Sequence, residues 1–259
     1  MKKVSVIIVI PVVLLVLFVS GCIQNDQIHT EKEAEQMRTE EGKELSVTKG
    51  SEASQKKTRE YAQLDYLGHA SVRIITKEGV VIYIDPYYGK DYDEPADIIL
   101  VTHGHGDHYQ ISKIKNKKEN CSIITWKEAL KDGEYQSFEA AGVKIKAVAA
   151  YNKNHPKDSS VGFVLEFDGI TLYHAGDTSK IDEMKELADL NLTYALLPMD
   201  NVYNMGPEEA TEAAEMVQAK YYIPIHTGPD GVYSDENVEK FTPEGKIVVR
   251  PKESIQLKE

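Results

Sequence analysis

Three histidines and an aspartate stand within one short segment, Thr102-His103-Gly104-His105-Gly106-Asp107-His108. Imidazole and carboxylate groups are ligands that Zn²⁺ and similar divalent transition metals bind in proteins. The whole chain of 259 residues contains only 8 histidines, so this density is unusual for an ordinary polar loop. The segment therefore predicts a metal site; the alternative is a polar surface loop.

The spacing of these residues suggests how they reach metal. His103 and His105 are two positions apart, so on an extended segment both side chains point to one side and can reach one ion. Asp107 and His108 follow where the chain turns, and they can reach a second ion. The apolar run Ala96-Asp97-Ile98-Ile99-Leu100-Val101 precedes the motif and predicts a buried strand that delivers it.

The H-x-H-x-D-H pattern of residues 103–108 resembles the signature of the metallo-β-lactamase superfamily. Four further segments resemble motifs of that superfamily in the same order: Gly68-His69-Ala70, Ile84-Asp85-Pro86, His174-Ala175-Gly176-Asp177-Thr178 and Tyr221-Tyr222-Ile223-Pro224-Ile225-His226. The match runs from about Tyr61 to the C-terminus. Among branches, the segments are most similar to the ascorbate-6-phosphate lactonase-like and N-acyl-phosphatidylethanolamine phospholipase-like hydrolases.

The resemblance implies a ligand set for two divalent transition metals. Its members are His103, His105 and a third histidine for the first metal, Asp107, His108 and His226 for the second, and Asp177 as the bridge. The third histidine is predicted to be His155, because it stands on a loop before a hairpin. His174 is the alternative, but it lies only three residues before Asp177 and continues a strand.

Two cations that share a water lower its pKa toward neutrality, and the resulting hydroxide can attack a carbonyl or phosphoryl centre. Asp107 is predicted to orient this nucleophile and accept its proton, which makes it the one catalytic side chain assigned. Nitrogen and oxygen ligands without cysteine favour zinc, with manganese or iron as alternatives. Candidates for a leaving-group acid are Tyr203, Lys153 and His174, and none is assigned.

Several other polar residues have two interpretations. Asp85 either holds the second ring nitrogen of a ligand histidine or starts the turn before Pro86. His69 either lines the mouth of the site or, as we favour, is satisfied within a hairpin. Possible substrate contacts near predicted strand ends are Thr178, Asp200, Asn201 and Asn204.

The N-terminus predicts export and lipidation. Lys2 and Lys3 precede an apolar run over residues 4–19, and Val19-Ser20-Gly21-Cys22 resembles a lipobox. We expect a lipoprotein-type signal peptide at 1–21, a polar tether at 22–60 and a hydrolase domain at 61–259, anchored to the outer face of the cell membrane by lipidated Cys22. The alternative is an uncleaved N-terminal membrane helix.

The remaining sequence alternates between short strand patterns and helical patterns. Strands are predicted at residues 63–66, 71–76, 80–84, 98–102, 122–125, 143–149, 162–167, 170–174, 194–197, 221–225 and 247–249, and helices at 182–190 and 207–219. Glu78-Gly79 and Asp168-Gly169 are hairpin turn signals. The class is α/β, also filed as α+β, and the resemblance implies a four-layer αββα sandwich with two mixed sheets.

These observations predict a membrane-anchored binuclear hydrolase of a small ester, lactone, amide or phosphodiester. A nuclease is the alternative within catalysis, but the formal net charge of −12 disfavours binding of nucleic acid. A non-catalytic lipoprotein that binds metal or ligand is the alternative outside catalysis. A true β-lactamase has no specific support in the sequence.

Overall fold

The computed structural model describes residues 58–259, which form a sandwich of two six-stranded mixed sheets and a small two-stranded sheet. The strands are β1 (Ala62–Gly68), β2 (Ser71–Ile75), β3 (Val81–Ile84), β4 (Ala96–Val101), β5 (Lys117–Thr125), β6 (Leu130–Lys131), β7 (Glu134–Tyr135), β8 (Ser137–Ala140), β9 (Val143–Ala149), β10 (Val161–Phe167), β11 (Ile170–His174), β12 (Tyr194–Pro198), β13 (Tyr221–Ile225) and β14 (Ser254–Leu257). The α-helices are α1 (Trp126–Ala129), α2 (Pro207–Val217) and α3 (Asp235–Lys240), and 3-10 helices cover Ile111–Lys113, Asp182–Leu190 and Pro229–Gly231.

The first sheet has the strand order β14-β1-β2-β3-β4-β5, and the second has the order β13-β12-β11-β10-β9-β8. In each sheet, hairpin-connected antiparallel strands continue into parallel ones: β3, β4 and β5 are parallel, and so are β11, β12 and β13. The structure therefore confirms the predicted fold class.

The core lies between the sheets because side chains of a strand alternate between its two faces. Ile82 and Leu100 of the first sheet share one buried cluster with Phe163 and Leu196 of the second. The intervening side chains pack outward: those of the second sheet lie under α2 and the 3-10 helix Asp182–Leu190. Those of the first sheet meet the segment around Tyr92 and Ile114. The central strands of both sheets are thus buried on two faces, whereas β5, β8 and β14 at the edges are partly exposed.

Several details differ from the sequence prediction. Residues 247–249 are not a strand: Ile247 makes one main-chain hydrogen bond to Tyr222, and Pro251 soon follows. The edge strand is instead β14, which pairs antiparallel with β1. Residues 182–190 form a 3-10 helix rather than an α-helix.

The parallel strands bring chemically active residues to one edge of each sheet, since parallel strands end at the same edge. Asp85 and Thr102 follow β3 and β4 in the first sheet, and Asp177, Asp200 and His226 follow β11, β12 and β13 in the second. Main-chain hydrogen bonds join the two edges, from Val161 N to Thr102 O at 3.0 Å and from His226 N to His69 O at 2.7 Å.

The predicted signal peptide, Cys22 and nearly all of the predicted tether lie outside the described residues. Within residues 58–259, none of the helices has both the length and the apolar character needed to cross a membrane.

Candidate metal centre

The first cluster of candidate ligands contains three histidines, and we call it the three-histidine group. His103 and His105 follow β4, and His155 comes from the loop between β9 and β10. One nitrogen of each ring lies within 4.8 Å of the others. His155 Nε2 is 3.1 Å from His105 Nδ1. The predicted ligands of the first metal are therefore adjacent in space.

The second cluster, which we call the aspartate–histidine group, contains the predicted ligands of the second metal. It consists of Asp107, His108 and His226, joined by His69, and one ligand atom of each lies within 4.8 Å of the others. His108 and His226 are buried, whereas the Asp107 side chain is 44% exposed. The position of His69 here contradicts our expectation that its ring is satisfied within the hairpin.

Asp177 lies between the two groups. Its carboxylate is 3.4 Å from His108 Nε2, 3.5 Å from His155 Nε2 and 3.6 Å from His226 Nε2. It therefore contacts histidines of both groups, as expected of a bridging carboxylate. All seven predicted metal ligands meet at this place.

Each buried ligand histidine has a polar side chain next to its Nδ1 atom. Three of these contacts are hydrogen bonds, with Thr102 Oγ1 at 3.0 Å for His103, Asp85 Oδ2 at 2.8 Å for His108 and Asn152 Oδ1 at 2.9 Å for His155. For His226, Asp200 Oδ2 lies 3.1 Å from Nδ1 as an ion-pair contact without hydrogen-bond geometry. With a proton on Nδ1, each ring presents the lone pair of Nε2 to the centre. Such partners fix the tautomer and the ring orientation of metal-binding histidines.

The donor atoms fit a divalent transition metal. His103 Nε2, His108 Nε2 and one oxygen of Asp177 are buried without a hydrogen-bond partner. Unpaired buried polar atoms carry a free-energy cost, so their convergence on one place indicates a bound cation. Neutral imidazoles and a carboxylate are the borderline ligands that such cations select.

His174, the alternative third ligand, has no free lone pair for a metal. Its Nε2 donates to Ala70 O at 2.9 Å, and its Nδ1 accepts from Gly176 N at 3.2 Å. The main chain therefore fixes the ring in a neutral state. The same two bonds argue against His174 as a leaving-group acid.

Three residues of the site have strained backbone. His69, Asp85 and His226 have φ values of 56°, 48° and 45°, in the left-handed region that residues other than glycine rarely adopt. Strain of this kind costs about 1–3 kcal/mol per residue and persists where the surrounding structure enforces it. These strained residues therefore lower the stability of the fold while they orient the candidate metal centre.

A cavity of about 340 Å³ opens onto the candidate ligands. Its walls are formed by His105, Asp107, Asn154, His155, Asp177, Tyr203, His226 and Asp230. Tyr203 is thus the one proposed acid among the lining residues, and Lys153 is absent from them. The remaining candidates for substrate contact, Thr178, Asn201 and Asn204, are also absent from these walls.

Sequence analysis missed the residues that hold the ligands from behind. Asn152 belongs to no motif, and Asp200, a possible substrate contact in the sequence, lies instead against His226. The Asp200 carboxylate also accepts main-chain N–H groups of Val202 and Tyr203 at 2.7 and 2.6 Å. In the sequence, the feature that points to Asp200 as a partner of a ligand is its position at the end of a predicted strand. The feature that points to Asn152 is its proximity to His155 in the same loop.

Burial makes His103 and His108 poor bases, and it predicts acid sensitivity of the metal-free protein. Burial lowers the pKa of His103 from 6.5 to about 3, helped by His108, and lowers the pKa of His108 to about 3. Between these pH values the unfolded chain binds protons that the folded chain does not. The free energy of unfolding therefore falls as pH decreases through this range, by up to about 1.4 kcal/mol per unit for each histidine.

We expect the melting temperature of the chelator-treated protein to fall steadily from pH 6.5 toward pH 4, measured by circular dichroism. His103→Gln removes one titrating group, so its melting temperature should depend less steeply on pH. A melting temperature that is constant between pH 6.5 and pH 4.5 would contradict this assignment of neutral, buried imidazoles.

Comparison with known proteins agrees with this geometry. Residues 63–226 match the family model described as the beta-lactamase superfamily domain. A UPF0173 metal-dependent hydrolase of Geobacillus thermodenitrificans is 32% identical over 226 residues, covering 75% of this chain and 100% of the relative. One from Thermus thermophilus is 32% identical over 186 residues, covering 63% of this chain and 83% of the relative.

Solved structures show the same likeness. A Parabacteroides distasonis protein assigned as a metal-dependent hydrolase aligns with a TM-score of 0.60 at 31% identity, over 73% of this chain and 93% of that chain. The chain therefore belongs to the metallo-β-lactamase superfamily. It is a metal-dependent hydrolase of that superfamily, and its placement in a branch stays a prediction.

Proposed function

We propose that this protein is a binuclear hydrolase of a small, uncharged ester, lactone or amide. The observation that carries the proposal is the pair of ligand groups on either side of Asp177, at the base of a cavity of about 340 Å³. Two groups of this composition suit two ions, and zinc is the metal that their nitrogen and oxygen ligands favour. The cavity has room for a small molecule.

The residues of the candidate centre have separate roles in binding metal and in accepting a proton. The three-histidine group would hold one divalent ion, Asp107, His108 and His226 the other, and Asp177 both. Such a pair supplies Lewis acidity and activates water at neutral pH. Asp107 faces the cavity and is the half-exposed carboxylate of the site, so it can accept a proton from the attacking water.

The cavity walls favour a carbonyl substrate over a phosphodiester. No lysine or arginine is present among the lining residues given above, whereas Asp230 adds a carboxylate beyond the metal ligands. A phosphodiester would therefore depend on the proposed metal ions alone to offset its negative charge, with no lining lysine or arginine to add to them. An uncharged acyl compound needs no such cation.

The lysines that follow the metal loop bear on the nuclease alternative. Of these four lysines, Lys113 donates to the main-chain oxygens of Tyr87 and Gly89, Lys117 donates to Ile114 O, and Lys118 pairs with Asp97. Phosphate contacts by such lysines would have to displace these bonds. Nucleic-acid binding would also show as an affinity that weakens steeply with salt.

The full-length protein, loaded with zinc, should be assayed against esters, lactones, amides and β-lactams, with bis(p-nitrophenyl) phosphate for the phosphodiester class. We expect turnover of an uncharged acyl substrate that a chelator abolishes and zinc restores. Faster turnover of the phosphodiester would overturn the substrate class. Absence of turnover with all classes, in protein that holds two metal equivalents, would contradict the catalytic proposal.

Asp107→Ala provides a prediction for the binuclear centre. The variant lacks one ligand of the second ion and the proton acceptor, so we expect about one metal equivalent instead of two. We also expect a loss of nearly all turnover. Elemental analysis gives the metal content, and the purified wild-type protein is the reference. Full activity in Asp107→Ala would remove this residue from the mechanism.

We also propose that the hydrolase domain is tethered to the outer face of the cell membrane through Cys22. The support is the basic, apolar and lipobox-like sequence of residues 1–22. A single acyl chain holds a protein only marginally, whereas two or more hold it firmly. The substrate would then be a small molecule outside the cytoplasm.

Cys22→Ser should prevent acylation and processing and leave the protein's metal content unchanged. Mass spectrometry of the mature N-terminus is the measurement. A wild-type chain that still starts at Met1, or that carries an unmodified Cys22, would contradict the anchor.

A further inference from the structure

His69 stands at an unusual place in the backbone. It follows Gly68 at the bulge where β1 turns into β2, and its φ of 56° is left-handed. Its main-chain oxygen accepts two hydrogen bonds, from Tyr66 Oη at 2.8 Å and from His226 N at 2.7 Å. The turn is therefore clamped to the strand end that carries a candidate ligand. Because the main chain of His69 is fixed by these bonds, its side chain is placed beside the candidate metal centre.

The His69 ring does not follow the pattern of the other histidines. His103, His108 and His155 are anchored by a hydrogen bond at Nδ1. His226 Nδ1 lies 3.1 Å from Asp200 Oδ2, whereas His69 Nδ1 is buried without a partner of either kind. His69 Nε2 lies 3.3 Å from Asp107 Oδ2. The ring packs on His226, with 3.6 Å between centroids, and meets Tyr87 edge-on at 5.4 Å. Packing on both sides fixes the direction of its N–H.

Asp107 is the candidate ligand that needs such support. Its side chain is 44% exposed, unlike the buried carboxylate of Asp177. Within residues 58–259, the bond from His69 is its one side-chain hydrogen bond. A half-exposed carboxylate can otherwise adopt several rotamers, and a ligand that is free to rotate loses entropy when it binds metal.

We infer that His69 is a positioning residue that donates its Nε2–H to Oδ2 of Asp107. The bond fixes the carboxylate and leaves Oδ1 free to meet a metal or a proton. This inference rests on the proposed role of Asp107 in the second metal position. In support, the hydrogen bond from His69 is the main cause that lowers the pKa of Asp107, which keeps the carboxylate ionised.

Three variants of the full-length protein distinguish the hydrogen bond that His69 donates from the packing of its ring. His69→Gln places an amide N–H near the position of Nε2. His69→Phe keeps a planar ring against His226 but has no donor, and His69→Ala has neither. Metal-free samples are titrated with Zn²⁺ by calorimetry, and circular dichroism verifies that each variant is folded.

We expect His69→Phe and His69→Ala to weaken the second zinc equivalent by about 10- to 100-fold, as measured for partners of metal ligands, with the first equivalent unchanged. His69→Gln should recover most of this affinity. In the Asp107→Ala background, His69→Phe should have no further effect on zinc binding, because it acts through Asp107.

Two results would overturn the inference. One is a folded His69→Phe protein that binds both equivalents like the wild type. The other is His69→Gln that binds as poorly as His69→Phe, which would assign His69 a role other than donation. Neither readout needs a substrate, so failure of the inference is distinguishable from failure of the proposed hydrolysis.

Discussion

Replacing Asp177 by asparagine should remove both metal ions and almost all hydrolysis. The carboxylate contacts histidines of both groups, with distances of 3.4–3.6 Å to three Nε2 atoms. An amide of the same size has one neutral oxygen and an N–H group that repels a cation. Loss of the ions forfeits several kcal/mol of transition-state stabilisation, or about 10³-fold in rate for 4 kcal/mol.

Elemental analysis of the purified variant tests this prediction, together with the hydrolysis rate of the wild-type substrate. Asp230→Asn is the matched control, because Asp230 lines the same cavity without belonging to either ligand group. It should retain the metal content of the wild type. Retention of two equivalents by Asp177→Asn would show that this carboxylate does not bridge the ions.

Alanine substitutions of His155 and His174 should have large and different effects on metal content and stability. His155→Ala should lose the first metal equivalent and abolish hydrolysis, since His155 Nε2 faces His105 and Asp177. His174→Ala should keep both equivalents. It should instead lower the melting temperature, because Ala70 O and Gly176 N lose their partner, at a cost of about 1–3 kcal/mol for each group left unsatisfied.

Zinc titration and thermal denaturation of the two variants distinguish the roles. Each variant serves as the control for the other, since both remove a buried imidazole near the same carboxylate. Metal loss in His174→Ala with retention in His155→Ala would show that the assignments are exchanged.

The fold could be predicted where burial leaves a pattern in the chain. Strands β9, β11 and β13 begin and end at the predicted residues, because apolar runs bounded by turns define them. β5 begins five residues earlier than predicted, at Lys117, since an edge strand accepts polar side chains. Residues 182–190 have an amphipathic pattern, but over so few turns it does not distinguish a 3-10 helix from an α-helix.

The candidate site could be predicted where ligands share a motif or a strand end. The seven predicted ligands meet, because the H-x-H-x-D-H segment is contiguous and Asp177 and His226 follow parallel strands. The partners of the ligands could not be predicted as such. Asp200 reaches His226 only across two neighbouring strands, and His69 meets Asp107 only where the β1–β2 turn comes next to the loop that follows β4. Such contacts are set by tertiary packing, which spacing does not record.

The origin of the ligands has a consequence for how the protein matures. His103 and His105 come from the first sheet, whereas His155, Asp177 and His226 come from segments of the second, so no half of the chain holds a complete set. A nascent chain that has emerged only to the end of β5 holds His103 and His105 but lacks His155, Asp177 and His226, so it cannot retain metal in this arrangement. With the proposed ligands, metal uptake would therefore follow the folding of both halves of the chain. Metal bound in this way would hold the two sheets together at this edge.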